Sequence, residues 1–300
     1  MLRASVVTAG DGESRCGKTF AAEKIAVEAR HQKTTLSRRL GQIVELAPDG
    51  SATPQQAQFL GDLMFTRIVT ISAGNFFRGA GLYADRLGRA GRPKATFTRE
   101  DAEPLRELMV EGGILEELQT DEAGTKASAA SRLPGVLALC ETVFCETVRE
   151  EYHRDGGGNL VVTDARNPLE IFDRRGLMGV GQDQIDPLSV IPYYIETPAE
   201  VAAKWLGDNY EKQRANIEQR RHLDATRPEH PVTMPTNLID DLDVWWEQFT
   251  PPRNQRMPAA PFRLVNTAGT SPEHIQWFGS EVAILAQDLA LSLNHGQLVA

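Results

Sequence analysis

Short apolar runs alternate with longer amphipathic stretches along the chain. Ser5-Val6-Val7-Thr8 has the β-branched character of a buried strand and breaks at Gly10-Asp11-Gly12. Phe20 to Arg30 reads as a helix with Ala21, Ile25 and Ala29 on one face, followed by a Pro/Gly/Asp/Ser-rich loop from Leu46 to Pro54 and a short helix from Pro54 to Met64. Arg67 to Ser72 is strand-like and ends at Ala73-Gly74; Asn75 is expected to cap the next helix, with Phe76, Phe77 and Leu82 as its apolar face. Gly91 to Thr98 is then a loop, Arg99 to Leu118 is mainly helical, and Asp121 to Ser131 is a small polar surface turn.

The clearest helix follows Leu133-Pro134, where Val136, Leu139, Cys140, Val143 and Phe144 form one stripe that stops before Gly156-Gly157-Gly158. Asn159 to Asp164 is a buried-type strand closing on Asp164-Ala165-Arg166-Asn167-Pro168. Val190 to Glu196 is another, in which Pro192 predicts a sheet edge or a strand end. Thr197-Pro198-Ala199-Glu200 is a helix start with Thr197 as cap and Glu200 completing a capping box, and this helix runs on toward the charged stretch Arg214 to Arg227. Phe262 to Val265 is a last strand before a final helix. Strands alternating with helices predict an α/β fold built on a parallel sheet with crossover helices.

Composition narrows the picture little. With 41% hydrophobic and 24% charged residues over 300 positions, the chain has an ordinary globular make-up. Its net charge of −9 disfavours general nonspecific nucleic-acid or membrane binding while leaving room for a local basic groove. Three cysteines, Cys16, Cys140 and Cys145, make no metal-type pair and leave one over from any disulfide, which fits a reduced, cytoplasmic setting. No apolar run approaches a membrane span, and no signal peptide is expected.

The strand–turn–helix at the start of the chain carries the chemistry. Gly12-Glu13-Ser14-Arg15-Cys16-Gly17-Lys18-Thr19 matches the phosphate-cradling pattern of a P-loop. Its glycines let backbone N–H groups converge on a phosphate, and the following helix turns its positive end to the same anion. Lys18 would reach the outer phosphates, and the Thr19 hydroxyl is a ligand for Mg²⁺. ATP and Mg²⁺ are the expected cofactors. Cys16 reads as a small residue tolerated in the loop, or as an accessible thiol.

Several landmarks in order resemble the cytidylate kinases of the nucleoside-monophosphate kinase class. Beside the loop from Asp11 to Lys18 there is Ala73-Gly74-Asn75-Phe76-Phe77-Arg78, which is similar to their acceptor-side turn. Ser131-Arg132-Leu133-Pro134-Gly135-Val136 resembles the stretch before their long helix, and Asp164-Ala165-Arg166-Asn167 their Asp-Gly-Arg-Asp turn. Ile195 to Val201 looks like the strand leading into their lid helix, Arg221-x-x-Asp224-x-x-Arg227 their lid motif, and Val265-Asn266-Thr267 their final strand and turn. The resemblance implies a three-layer P-loop fold with a parallel sheet of about five strands and the site at the strands' carboxyl ends. A single kinase domain would span 1–300, with an acceptor-binding part at about 73–135, a lid at about 204–230 and an insert at about 231–261. It also implies roles: Arg78 clamps the acceptor phosphate, Arg166 and Asn167 contact the acceptor, Arg221 and Arg227 close over the transferring group, Asp224 orients them or touches the sugar, and Asp164 holds Mg²⁺ through water.

The departures fall mainly on the acceptor side. Leu137 stands where the family has a base-reading arginine and Asn167 where it has aspartate, while Arg15 replaces a loop glycine. Two stretches look inserted, about 41–64 and 231–261. In the second, Trp245, Trp246, Arg253 and Arg256 could stack on bases and grip a DNA strand, or simply pack the insert against the lid. Three readings stay open: a kinase acting on a pyrimidine nucleoside monophosphate; a kinase phosphorylating the hydroxymethyl group of 5-hydroxymethyluracil in DNA, as certain phage enzymes of this P-loop type do, working in the bacterial host cytoplasm; and a non-catalytic nucleotide-binding module.

Overall fold

A computed structural model of the chain describes residues 3–13, 16–45, 65–89, 91, 97–110, 126–127, 130, 132–178, 188–205, 210–226, 234–241, 244–245, 261–265 and 272–298. Among these residues five strands, β1 (Val6–Gly12), β2 (Arg67–Ser72), β3 (Asn159–Asp164), β4 (Val190–Glu196) and β5 (Phe262–Val265), lie in one sheet in the order β2-β3-β1-β4-β5. Every pairing is parallel. The expected α/β class and parallel sheet are therefore present. The central strands β1 and β3 are buried at every residue, which is why their apolar runs do not alternate with polar positions. β2 occupies an edge and is correspondingly half-exposed.

Eight helices flank this sheet among the described residues: α1 (Lys18–Glu45), α2 (Ala73–Arg89), α3 (Ala102–Val110), α4 (Val136–His153), α5 (Pro168–Arg174), α6 (Ala199–Trp205), α7 (Tyr210–Ala225) and α8 (Pro272–Leu298). The period-2 alternation of β1 divides them. Val7 and Ala9 face a core shared with Phe76 and Ala80 of α2, Leu105 of α3, the Val136-to-Phe144 stripe of α4 and Phe172 of α5. Val6 faces the other way, into a core with Ala21, Ile25 and Ala29 of α1 and Phe278, Val282 and Ala286 of α8. Helices thus cover both faces.

Polar residues join the layers where backbone groups need partners. Buried Asn159 donates through Nδ2 to the carbonyls of Glu151 (2.9 Å) and Arg154 (2.8 Å), tying the end of α4 and the turn after it to β3. Ser5 Oγ donates to the Tyr152 carbonyl at 2.6 Å and accepts from Asn159 N at 3.0 Å. The strand β1 is in this way fixed to the helix–strand corner that leads into β3.

Several local expectations are corrected. Helix α1 begins at Lys18 and runs on to Glu45, well beyond Arg30, so the first supposed insert starts as helix; positions 46–64 lie outside the described residues. Asn75 is not a cap, because α2 begins at Ala73 directly after β2; its Oδ1 accepts instead from Arg78 Nη1 at 3.1 Å. Arg99–Asp101 is a 3₁₀ turn before α3, and 111–118 lie outside the described residues. β4 is not an edge strand. Pro192 is accommodated because it pairs with Ala9 of β1 while β5 joins only from Tyr193 onward, so no ladder partner on that side is lost.

The charged stretch is a separate helix. α6 and α7 pack on each other through Ala199, Ala202, Ala203 and Ile217, a small core of their own. The insert is partly tied down as well: Ile239 bridges Phe262, donating to the Pro261 carbonyl (3.1 Å) and accepting from Arg263 N (2.9 Å). Among the described residues no helix is long and apolar enough to cross a membrane.

Candidate active site

The carboxyl ends of β1, β3 and β4 converge on one place. The register sets Gly10 beside Asp164 of β3 on one side and Tyr193 of β4 on the other. From β1 the chain departs toward β2, and from β4 it departs toward β5, on opposite sides of the sheet. Their carboxyl ends diverge there, and this is where open parallel sheets form a ligand crevice.

The loop after β1 is shaped by close contacts. Gly12 has φ +145° and Gly17 φ +95°, and a Cβ on Gly12 would lie 2.4 Å from both Cys16 Sγ and the Ile195 carbonyl. Only glycine fits that position. Lys18 Nζ donates to the carbonyls of Gly12 and Glu13, each at 3.1 Å, so its ammonium lies back over the loop. Thr19 Oγ1 donates to Asp164 Oδ2 at 2.7 Å, joining residues 145 positions apart. Asp164 is 3% exposed, and its other oxygen, Oδ1, has no hydrogen-bond partner among the described residues.

Three residues hold this loop through contacts that the sequence did not announce. Thr197 was expected to cap a helix, but its Oγ1 donates to the Cys16 carbonyl at 2.7 Å and anchors the loop to the end of β4. Asp11, 4% exposed, accepts at Oδ1 from Gly12 N (2.6 Å) and Asn167 N (3.1 Å), linking the loop to the turn after β3. Burial pushes the Asp11 carboxyl up, while those two N–H groups and the charges of Lys18 and Arg166 pull the other way. Glu13, expected only as part of the loop, forms an ion pair with Arg221 at 2.8 Å. The Asp-Gly pair at the loop's start was the available signal for Asp11; a sequence gives none for the partner of Glu13.

Helix α7, in the stretch expected to form a lid, contacts these elements. Arg221 also donates through Nη2 to the Thr197 carbonyl at 2.7 Å. Asp224, expected to orient the lid arginines or touch a sugar, is paired with Arg166 from the turn after β3. Asn167 adopts φ 51°, a left-handed conformation that asparagine tolerates, and its Nδ2 donates to Glu170 Oε2 at 3.2 Å. α7 therefore touches both sides of the crevice with opposite charges: a cation, Arg221, to the loop after β1 and an anion, Asp224, to the turn after β3.

Two further expected residues are placed by the fold. Arg78 lies one turn into α2, after the β2 end that registers with Asp164, and is held by Asn75. Trp245 does not offer a stacking face: it is 1% exposed and packs in the α1/α8 core with its ring centroid 5.2 Å from that of Phe262. The insert's aromatic is there a core residue. Ser14, Arg15, Arg227, Trp246, Arg253 and Arg256 lie outside the described residues.

The loop thiol is likewise inaccessible. Cys16 is 0%, Cys140 1% and Cys145 4% exposed. Burial pushes all three thiols up, Cys145 to about 12. A maleimide or disulfide reagent is expected to modify none of them in the folded protein and all three in denaturant; stoichiometric labelling of native Cys16 would contradict its burial. Comparison with protein-family models and with curated proteins returns no match to this chain.

Proposed function

We propose that this chain is an ATP-dependent P-loop kinase that transfers a phosphoryl group to a pyrimidine nucleotide. The observation that carries the reading is the hydrogen bond between Thr19 and Asp164, which brings the hydroxyl of the loop motif and a buried strand-end carboxylate into one pair beside Lys18. The parallel five-stranded sheet, with this site at its carboxyl ends, supports a three-layer P-loop architecture.

The residues fit the groups that such a reaction needs. Thr19 and Asp164 are hard oxygen donors, and the unpartnered Oδ1 of Asp164 is the kind of buried acceptor a cation satisfies. They would hold Mg²⁺, which would supply positive charge to offset that of the nucleotide's phosphates. The loop around Gly12 and Gly17, with the amino end of α1, would receive the phosphates of ATP through backbone N–H groups. Lys18 would leave its two carbonyls for the outer phosphates, and Arg166 and Arg221 would offset charge as the phosphoryl group passes between donor and acceptor oxygens. Asp11 and Thr197 position the loop without touching the reacting atoms.

Phosphate transferred to a hydroxyl of 5-hydroxymethyluracil in DNA is the competing acceptor, and the burial of Trp245 removes part of the surface that favoured it. γ-Labelled ATP with Mg²⁺ should be offered to CMP and dCMP, to uridylate and thymidylate, and to duplex DNA carrying 5-hydroxymethyluracil. Label on a free monophosphate is the expected result. Label on the DNA alone would replace the acceptor while keeping the kinase; no label and no ATP binding would leave the nucleotide-binding assignment without support. Arg78→Ala is expected to raise the acceptor KM, or lower kcat, by about tenfold to a hundredfold with ATP affinity unchanged, since one charged clamp on a phosphate is lost. A large loss of ATP binding would instead put Arg78 on the donor side.

A further inference from the structure

Arg221 and Glu13 stand in an arrangement that the proposed transfer reaction does not need. The guanidinium is directed at the phosphate loop, with its side chain only 15% exposed, and its partner there is a carboxylate carried by the loop itself. Glu13 follows Gly12, and its own backbone carbonyl accepts from Lys18. A phosphate received by this loop and the Glu13 carboxylate are thus anions beside the same arginine.

We propose that Glu13 is a built-in competitor of the nucleotide's phosphates: it holds the lid helix α7 through Arg221 in the free protein, and incoming phosphate takes Arg221 over. The inference rests on the reading of this loop as a nucleotide site. A polyphosphate carries several charges and offers paired oxygens to a planar guanidinium, whereas a carboxylate offers one charge. Glu13 is 42% exposed, so it returns to water at little cost when displaced. The second contact of Arg221, to the Thr197 carbonyl, needs no charge on the loop and keeps the arginine aimed at it. The pair Arg166–Asp224 holds α7 to the opposite side of the crevice, so losing Glu13 loosens the lid without detaching it. Glu13 is in these terms a positioning residue that acts through Arg221 and lowers the apparent affinity for nucleotide.

The test uses the full chain as wild type, Glu13→Gln, Arg221→Gln and the double variant. Each is titrated with adenylyl imidodiphosphate and Mg²⁺, with Lys18→Ala as the control for binding at this loop, and hydrogen exchange of residues 210–226 is followed without nucleotide. Glu13→Gln should bind about two- to fivefold tighter, the worth of one partly exposed ion pair, and its α7 amides should exchange faster. In the Arg221→Gln background the same change should alter neither. Unchanged or weaker binding by Glu13→Gln overturns the proposal. Equal tightening without Arg221 also overturns it, because the effect would then be the general removal of a negative charge from the loop. If the wild type does not bind the analogue, the nucleotide reading fails and the competition with it; faster α7 exchange in Glu13→Gln would still separate that failure from an absent loop–lid contact.

Discussion

Lys18→Ala is expected to lower phosphoryl transfer from ATP by at least about a thousandfold, since a single preorganised donor at a developing charge already contributes about a hundred- to a thousandfold. The fold should survive. Lys18 is half-buried and its partners are two loop carbonyls near solvent, so their loss should cost only about 1 kcal/mol. Label transfer measured beside a thermal melt decides the matter. A variant that melts like wild type and is inactive supports the site; one that retains full transfer removes Lys18 from it, and the kinase reading with it.

Trp245→Ala is expected to destabilise the protein by about 3–5 kcal/mol, the range for deleting a large aromatic from a packed core. The residue is 1% exposed among Phe262, Phe278 and the α1/α8 side chains; its backbone N–H donates to the Asp241 carbonyl at 3.0 Å, a bond the truncation leaves in place, so the loss is one of packing. Urea denaturation is the direct measurement, and Trp245→Phe should recover most of the loss. A truncation that left stability untouched but abolished binding to DNA would reverse the assignment, making the tryptophan a ligand contact rather than a core residue.

Strand positions were legible because β1, β3 and β4 are buried on both faces, and full burial writes itself as continuous runs such as Leu160-Val161-Val162. The glycine turn after β1 was legible because its backbone geometry tolerates few residues, as at Gly12. Helix ends were less so. Gly41 after two arginines reads as a stop, yet α1 runs through it to Glu45, and Thr197 has the chemistry of a cap while its hydroxyl proton goes to the Cys16 carbonyl. Charge pairing was least legible. The spacing of Arg221 and Asp224 placed both on one helix but could not say that their partners are Glu13 and Arg166, because those contacts depend on how that helix meets the sheet. Tryptophan beside arginine suggested a nucleic-acid grip, and burial of Trp245, which no local pattern announces, decided against it there.

The join between β1 and β4 has a consequence for how this sequence can vary. Tyr193 is fully buried and lies across Gly10, where a Cβ would come within 2.5 Å of the Tyr193 hydroxyl oxygen. The two positions are therefore not independent variables. Gly10→Ala alone should be strongly disfavoured, and Tyr193→Ala alone should leave a void, yet the pair replaced together should recover part of both losses. A library randomised at 10 and 193 and selected for folding should return small–large combinations and few others, so that the aromatic beneath the phosphate loop would be inherited with its glycine as one unit.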